Sequence, residues 1–588
     1  MLVMILLSLL CFKGNCHLIP IGQQTYSNEL VSCVTDIVGE YFSQQKVLTY
    51  VGNKQDDDEL LKKIHKLNTV SVISRRTSRK LPVPHEGYLI SARNASLFIQ
   101  KFPHLTKETT WNPEARFLII VRALQYYELK YIFNKLLKMH IDNIVIVNGT
   151  AEAHLYTYNA FDNYGCGKRY EEIISYGKCS ERHKQDLYPD KYVTGLKNCT
   201  FDVAIGNWPP YTIFPPLNND PSLALSYGVE PYFLRMLADI QGFTINIILF
   251  KEYNVSYSTV SADMIAVGPL EMLQNNEADI ILGGLLLVPS RAVAFNYIYN
   301  FLTYIDEIRF LVKRASYAAP WKNVYLEFNA TVWLLIMLSL MLYSVIMIIL
   351  LRVEDKSLLV LKLLDNIVLH SSNIPCQSTV KCIFIIWVWF AYLINAFYQS
   401  SLVSLTTNPA MESQIATEED IASHNLKPCF SELIGKYYLE STQSVNDTYT
   451  TIPGCGGLIE SIKTVMKSYD LYTMALYGIY VFNRNEFLDE YGQSYIYSVK
   501  IPYSKVIYCV YLYKGFPLID DMRRTALRIR EMGLVDRAIE DMKYLNIIKH
   551  YYRAKGYESH FAIPWCLYVF GCVVALITFV LEILSIHK

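Results

Sequence analysis

The chain has 588 residues, more than one domain holds and enough for about three or four with cores of their own. Lys+Arg and Asp+Glu both number 54, so the net charge is zero and composition offers no basic field for nucleic acid. Hydrophobic residues make up 52% and the mean hydropathy is +0.18, which points to membrane segments rather than a wholly water-soluble chain.

In chain order, LVMILLSLLCF (2–12) is a short apolar run followed by small residues near Gly14 and Cys16. It is too short for an anchor and reads as a secretory signal peptide, bounded here at 1–17. Residues 18–195 alternate β-branched runs, KVLTYVG (46–52), TVSVIS (69–74), ARFLIIV (115–121) and DNIVIVNG (142–149), with helical spacing such as that of 124–140. Strand, helix, strand at this spacing predicts a parallel α/β N-terminal domain. No Gly-rich phosphate loop follows these strands, and 163–195 reads as a linker or irregular cap. A second α/β region covers 199–315. CTFDVAIGNW (199–208) runs into the turn PPY (209–211), and 232–243 is an amphipathic helix ending at a Gly cap. FTINIILF (243–250) and EADIILGGLLLVPSR (277–291) supply strands, and DEIRFLVKR (306–314) leaves the region.

Residues 331–351 are uncharged and long enough to cross roughly 30 Å of hydrocarbon. The next stretch, 356–379, carries Lys356, Lys362 and Asp365 and is broken by HSSNIP (370–375). It is a poor span, and a re-entrant loop shielded from lipid fits it better. Then 380–409 starts apolar and turns polar at helical spacing through Gln399, Ser400, Ser401 and Ser404 until Pro409; its spanning part is 381–407. Amides and hydroxyls at the end of a span suit a packed interface or a water-filled path. A soluble stretch, 410–560, holds strand-like 494–503 and 505–513 and a helix over 518–542 interrupted by Gly533. A last span covers 563–584. With a secreted N-terminus, both soluble stretches lie outside the cell and a short C-terminus inside, which puts Arg352, Lys356, Lys362 and Lys381 on the cytoplasmic side.

Sequons begin at Asn94, Asn148, Asn198, Asn254, Asn329 and Asn446, all in segments assigned outside. Cys33, Cys166, Cys179, Cys199, Cys429, Cys455 and Cys509 then sit in oxidising space, so disulfides are expected, with connectivity left open. Cysteine spacing matches no zinc site, and DDDE (56–59) lacks the alternating ligands of a calcium loop. HExxH, GxSxG and Walker patterns are missing, so no enzyme activity, cofactor or metal is expected.

Soluble half, span, re-entrant loop, span, soluble half, span: this order resembles the ionotropic glutamate receptors. YQSSLVSL (398–405) is similar to their arthropod branch, the variant ionotropic receptors of chemosensation. ADIILGGLLLVPSRAVAF (278–295) resembles the family's ligand-binding segment, and Arg291 falls on the arginine that clamps the ligand's carboxylate. A guanidinium can do so through two parallel hydrogen bonds, a geometry lysine does not reproduce. Tyr211 falls where the family has an aromatic lid. Leu286 replaces a ligand-holding threonine, and Gly284 a proline whose carbonyl receives the ammonium. No acid lies at 482–485 to pair an ammonium group, Glu486 being a near miss, and the family's second-lobe disulfide lacks its cysteines. The ligand implied is a carboxylate-bearing compound other than glutamate. PWKNVYLEFNATVW (320–333) resembles the lead-in to the first span, and 513–536 the closing helices of the second lobe. Register from Pro375 puts Val368, Leu369, His370, Ser371 and Ser372 at the tip of the pore loop, with His370 able to titrate near neutral pH. The gate would comprise Tyr398, Gln399, Ser400, Ser401 and Ser404.

The resemblance therefore implies a multi-pass α-helical membrane protein with an extracellular two-lobed, periplasmic-binding-protein-like α/β domain (lobes 199–315 and 410–560) and a short α/β N-terminal domain. It implies a plasma-membrane, ligand-gated cation channel subunit acting as a taste or odour receptor. The expected partners are a small-molecule ligand, permeating cations, lipid and a co-receptor subunit in a hetero-tetramer, with no nucleic acid. Two alternatives stand beside it: an auxiliary subunit that binds no ligand, and a non-conducting, membrane-tethered solute-binding protein.

Overall fold

The computed structural model describes residues 27–549 and 562–586 apart from short internal stretches, among them 75–83, 214–227, 251–257, 369–377 and 443–452. The signal-peptide segment, Leu369–Ser372, Asn254 and Asn446 lie outside the described residues. The fold is mixed α/β with several sheets, plus apolar helices. It forms two compact units: the chain up to Glu307 with Tyr477–Phe482 and Ser504–Lys549, and Ile308–Leu476 with Asn483–Tyr503 and His550–Lys588.

The first unit begins with a seven-stranded sheet of β1 (Leu48–Val51), β2 (Val72–Ser74), β3 (Gly87–Ala92), β4 (Arg116–Val121), β5 (Ile144–Asn148), β6 (His154–Tyr158) and β7 (Ile173–Lys178), in the order β2-β1-β3-β4-β5-β6-β7. The five strands β1 to β5 are parallel, while β6 and β7 add antiparallel. Both faces of β4 are covered, which is why it reads as an unbroken apolar run rather than an alternation. Phe117, Ile119 and Val121 pack with Phe98 and Phe133 from helices on one face, and Leu118 and Ile120 with Leu30, Ile37 and Ile64 from helices on the other. Residues 163–195, expected as a linker or cap, instead supply β7, and Cys179 is bonded to Cys33 in the first helix, Asn28–Tyr41. The strand escapes a periodicity reading because IISYGK is an edge strand with no fully buried face.

The same unit continues into a five-stranded sheet. Its strands are β8 (Thr200–Ile205), β9 (Thr244–Leu249), β12 (Ile280–Leu282) and β13 (Asn296–Ile298), with Val510–Leu512 between β13 and β12; β10 (Thr259–Val260) and β11 (Ala266–Val267) pair separately. β8 is parallel to β9 and β12, whereas Val510–Leu512 runs antiparallel to both its neighbours. Val510, Tyr511 and Leu512, expected in the second lobe, are thus an inner strand of this first-unit sheet, and their near-complete burial explains the continuous apolar character of that part of 505–513. The expected helix over 518–542 is split into Ile519–Glu531 and Leu534–Lys549, where Gly533 takes a left-handed φ of 68°. The two sheets of this unit are bonded covalently through Cys166–Cys199. Lys168 Nζ reaches Asp279 Oδ2 at 2.6 Å, Asn296 Nδ2 donates to Glu114 at 2.7 Å, and the His140 ring stacks on Tyr513 at 3.8 Å.

In the second unit, β14 (Asp306–Lys313), placed at the end of the first lobe by sequence, pairs along Ile308–Val312 with Leu471–Leu476 and further on with Ile496–Ser498. Cys429 and Cys455 are bonded there, a bridge the family resemblance gave no reason to expect. Among the described residues, two helices are long and apolar enough to cross a membrane, Ala330–Leu351 and the Val380–Ser404 part of Ser378–Thr407. Between them, the helix Lys356–Ile367 packs Leu359 and Leu363 against Leu340, Met347 and Trp387 of the longer pair. Trp387 Nε1 donates to Leu363 O at 3.3 Å, Asn395 Nδ2 to Ile367 O at 2.9 Å and Tyr343 Oη to Ile383 O at 2.7 Å, so these polar groups are paired inside the bundle. Ala562–Ile586 is a further 25-residue helix, and its Tyr568–Leu581 stretch is apolar.

Candidate functional site

The carboxyl ends of β8 and β12 lie side by side, and in open α/β sheets the space beyond such ends is where ligands bind. After β12 the chain turns through Gly283 and Gly284, whose φ values are 151° and 64°. After β8 comes Trp208, in a tight turn closed by mutual backbone bonds with Thr212 around the Pro209–Pro210 pair. Its indole is packed close against Gly284: a Cβ there would sit 2.0 Å from Trp208 Cδ1. Glycine at 284 is therefore demanded by both sterics and backbone conformation. Trp208 Nε1 is buried without a hydrogen-bond partner among the described residues.

Glu230 stands in the first turn of the helix Val229–Gln241 and is fully buried. Its carboxyl oxygens accept from Gly283 N at 2.8 Å and from Gly284 N at 3.1 Å, so the two backbone donors beyond β12 are taken by a carboxyl group of the chain itself. Burial pushes the Glu230 carboxyl up to about 7, with the two N–H groups pulling the other way.

Leu286 bridges to Tyr508, and its carbonyl accepts from Arg291 Nη1 at 3.2 Å and Tyr511 Oη at 3.0 Å. Arg291 lies in the short helix Pro289–Ala294 and is only 7% exposed. At least one of its donors is thus engaged by main chain next to Gly284. Gly284, Leu286 and Arg291, picked out from sequence, are gathered on one short stretch.

Tyr211 belongs to a different cluster. It is fully buried, its hydroxyl donates to Asp306 Oδ2 at 3.1 Å, and its ring lies 3.9 Å from that of Tyr508. Tyr508 donates to the same oxygen at 2.9 Å, while Gly478 N and Glu307 N bond Oδ1 at 2.9 and 2.8 Å. Burial raises the Asp306 carboxyl above its ordinary range, against the four donors that favour its charge. A Cβ at Gly478 would come within 2.9 Å of Asp306 Oδ2, so that residue is held to glycine by the same cluster.

Elsewhere, Glu486 is engaged by Lys463 at 2.8 Å. Of the pore-loop positions, Val368 closes the helix Lys356–Ile367 and is exposed. The gate candidates share the helix Ser378–Thr407, with Gln399, Ser400 and Ser404 exposed and Tyr398 and Ser401 half-buried. Sequence reading missed Trp208, Glu230 and Asp306. Glu230 carried a usable signal, an acid in the first turn of a helix, where the dipole favours it. Asp306 carried none beyond opening a strand.

No protein-family profile matches this chain, and no curated protein sequence matches it.

Proposed function

We propose that the chain is a subunit of a ligand-gated cation channel of the variant ionotropic receptor kind, acting in chemosensation, multi-pass in the plasma membrane with its N-terminus outside. The observation that carries this reading is the order in which the chain visits its parts. It builds most of one lobe, crosses at β14 into a second sheet, and passes through two membrane-length helices flanking a short one. It then completes the second sheet, returns to supply Val510–Leu512 to the first, and ends in an apolar helix. A soluble unit divided by a membrane hairpin can couple ligand binding to that hairpin, since closure of the lobes loads the connecting segments. Closure is a shift of populations driven by preferential binding to the closed form. In this reading a carboxylate-bearing ligand meets Arg291, and the helix ends around Tyr398–Ser404 part in a tetramer shared with a co-receptor.

A second reading, an auxiliary subunit that binds no ligand, is favoured by Glu230, whose carboxylate already occupies Gly283 N and Gly284 N. Current from cells expressing the chain with a family co-receptor separates the two. Small carboxylic acids should evoke current in wild type, and Arg291→Lys should raise the half-maximal concentration at least about tenfold at equal surface expression. An unchanged dose–response removes the carboxylate clamp. Surface expression without acid-evoked current favours the auxiliary subunit.

A further inference from the structure

The two sheets of the first unit leave a cavity of about 200 Å³ at their seam. One wall comes from connections of the N-terminal sheet: Trp111 ahead of β4, and Met139 and His140 after the helix Tyr126–Leu137. The other comes from the second sheet: Met264 between β10 and β11, Phe295 ahead of β13, and Lys514 after Val510–Leu512. Contacts across the seam fix both walls. The His140 ring stacks on Tyr513 and its Nε2 lies 2.8 Å from Asn276 Oδ1, while Asn276 Nδ2 donates to Lys138 O at 3.4 Å. Gln274 holds the loop that carries Met264, donating to Met264 O at 2.8 Å and accepting from Ala266 N at 2.9 Å. All the lining residues and their chain neighbours belong to the described part of the structure.

Lys514 is half-buried, and one of its three N–H groups donates to Val293 O at 2.5 Å. Glu114 and Arg523 act on it with opposite charges, and Glu114 also accepts from Asn296 Nδ2, so Lys514 stays a cation that burial disfavours. Among the charged lining residues Lys138 and Lys514 outnumber Glu108, and burial keeps His140 neutral by pulling it down to about 4. A monoanion therefore balances the wall. Trp111, Met139, Met264 and Phe295 make much of the remainder apolar, and thioethers pack well on aromatic rings. About 150 Å³ suffices for benzene in a protein interior, so one ring with a short charged arm fits this space.

We infer that this seam binds a small aromatic monocarboxylate, its carboxylate on Lys514 and its ring among Trp111, Met139 and Phe295. A ligand seated there touches both sheets and ties the N-terminal domain to the sheet that follows it. Arg291 is no part of the wall, and the site stands independently of the channel reading.

Hydrogen–deuterium exchange on the full-length protein in detergent, titrated with phenylacetate, tests it. Phenylacetate should slow exchange saturably in both 104–112 and 271–277. Lys514→Gln should raise the half-maximal concentration at least about tenfold, and Arg291→Lys should leave it unchanged. Ala294→Trp, which keeps every charge but fills the cavity, should abolish the effect and serves if the lysine variant does not fold. Phenylacetamide, which keeps the ring and lacks the charge, should act only at much higher concentration. No slowing at any phenylacetate concentration overturns the inference. So does slowing that survives Lys514→Gln or Ala294→Trp, that is lost in Arg291→Lys, or that phenylacetamide matches.

Discussion

Glu230→Gln isolates the least expected feature of the site, a fully buried carboxylate held by two glycine N–H groups. The side chain is 0% exposed and has no cation among its described partners, so ionisation in place is opposed by burial and helped only by Gly283 N and Gly284 N. The raised carboxyl sets the sign. The folded protein binds the proton more tightly than the unfolded chain, so this group's contribution is complete below the unfolded value of 4.5 and is lost as pH rises to about 7. A rise of that size corresponds to about 3 kcal/mol. Glutamine imitates the neutral acid: Oε2 accepts from both glycines, and a carboxamide oxygen in its place can do the same. The variant should match wild type near pH 4.5 and exceed it by up to about 3 kcal/mol at pH 8. Other buried carboxyls titrate in the same range, Asp142 at about 6, so the quantity to follow is the difference between variant and wild type across pH in thermal unfolding of the detergent-solubilised protein. A Gln variant less stable than wild type by a constant amount at both ends refutes the reasoning. It would mean that the ionised carboxylate is a net stabiliser of the turn.

Three further outcomes follow from particular contacts. Gly284→Ala meets both a left-handed φ and the Trp208 ring, and should cost at least about 2 kcal/mol, read as lost surface expression. Tyr211→Phe removes one of two hydroxyls from Asp306 Oδ2 and should cost about 1–2 kcal/mol, whereas Asp306→Ala, which takes the acceptor from two buried tyrosines, should cost distinctly more; paired melts show the order. Among the sequons, Asn94 and Asn198 are exposed, while Asn148 Nδ2 donates to Leu124 O at 3.1 Å with its Oδ1 buried. Asn94→Gln and Asn198→Gln should each shift the glycosylated band, and Asn148→Gln should not.

Where spacing identified a strand or helix outside the apolar helices, that element carries its own periodic apolar pattern; the edge strand β7 does not and was missed. What spacing does not carry is which sheet a strand joins. Residues 505–513 read as strand-like from their composition, but that Val510–Leu512 joins the sheet between β12 and β13 is a pairing between segments about 200 residues apart, decided by which partner buries Tyr511 and Leu512. Arg291, Leu286 and Gly284 were legible because they lie within one local motif. The roles of Glu230 and Asp306 were not, because they depend on donors distant in sequence: Gly283 and Gly284 for one, Tyr211, Gly478 and Tyr508 for the other. Tyr211 was legible as a residue at a turn beside the site, but its burial against Asp306 is a tertiary fact.

The central claim, that the polar end of Ser378–Thr407 lines an ion path, is tested most directly by modifying it. Ser400 is exposed on that helix, so Ser400→Cys, expressed with a co-receptor and treated from outside with a positively charged thiol reagent, puts a cation where permeation is proposed. The account predicts that current falls on modification and that the reaction is faster while ligand is applied. Current unchanged after complete labelling of the cysteine would contradict it.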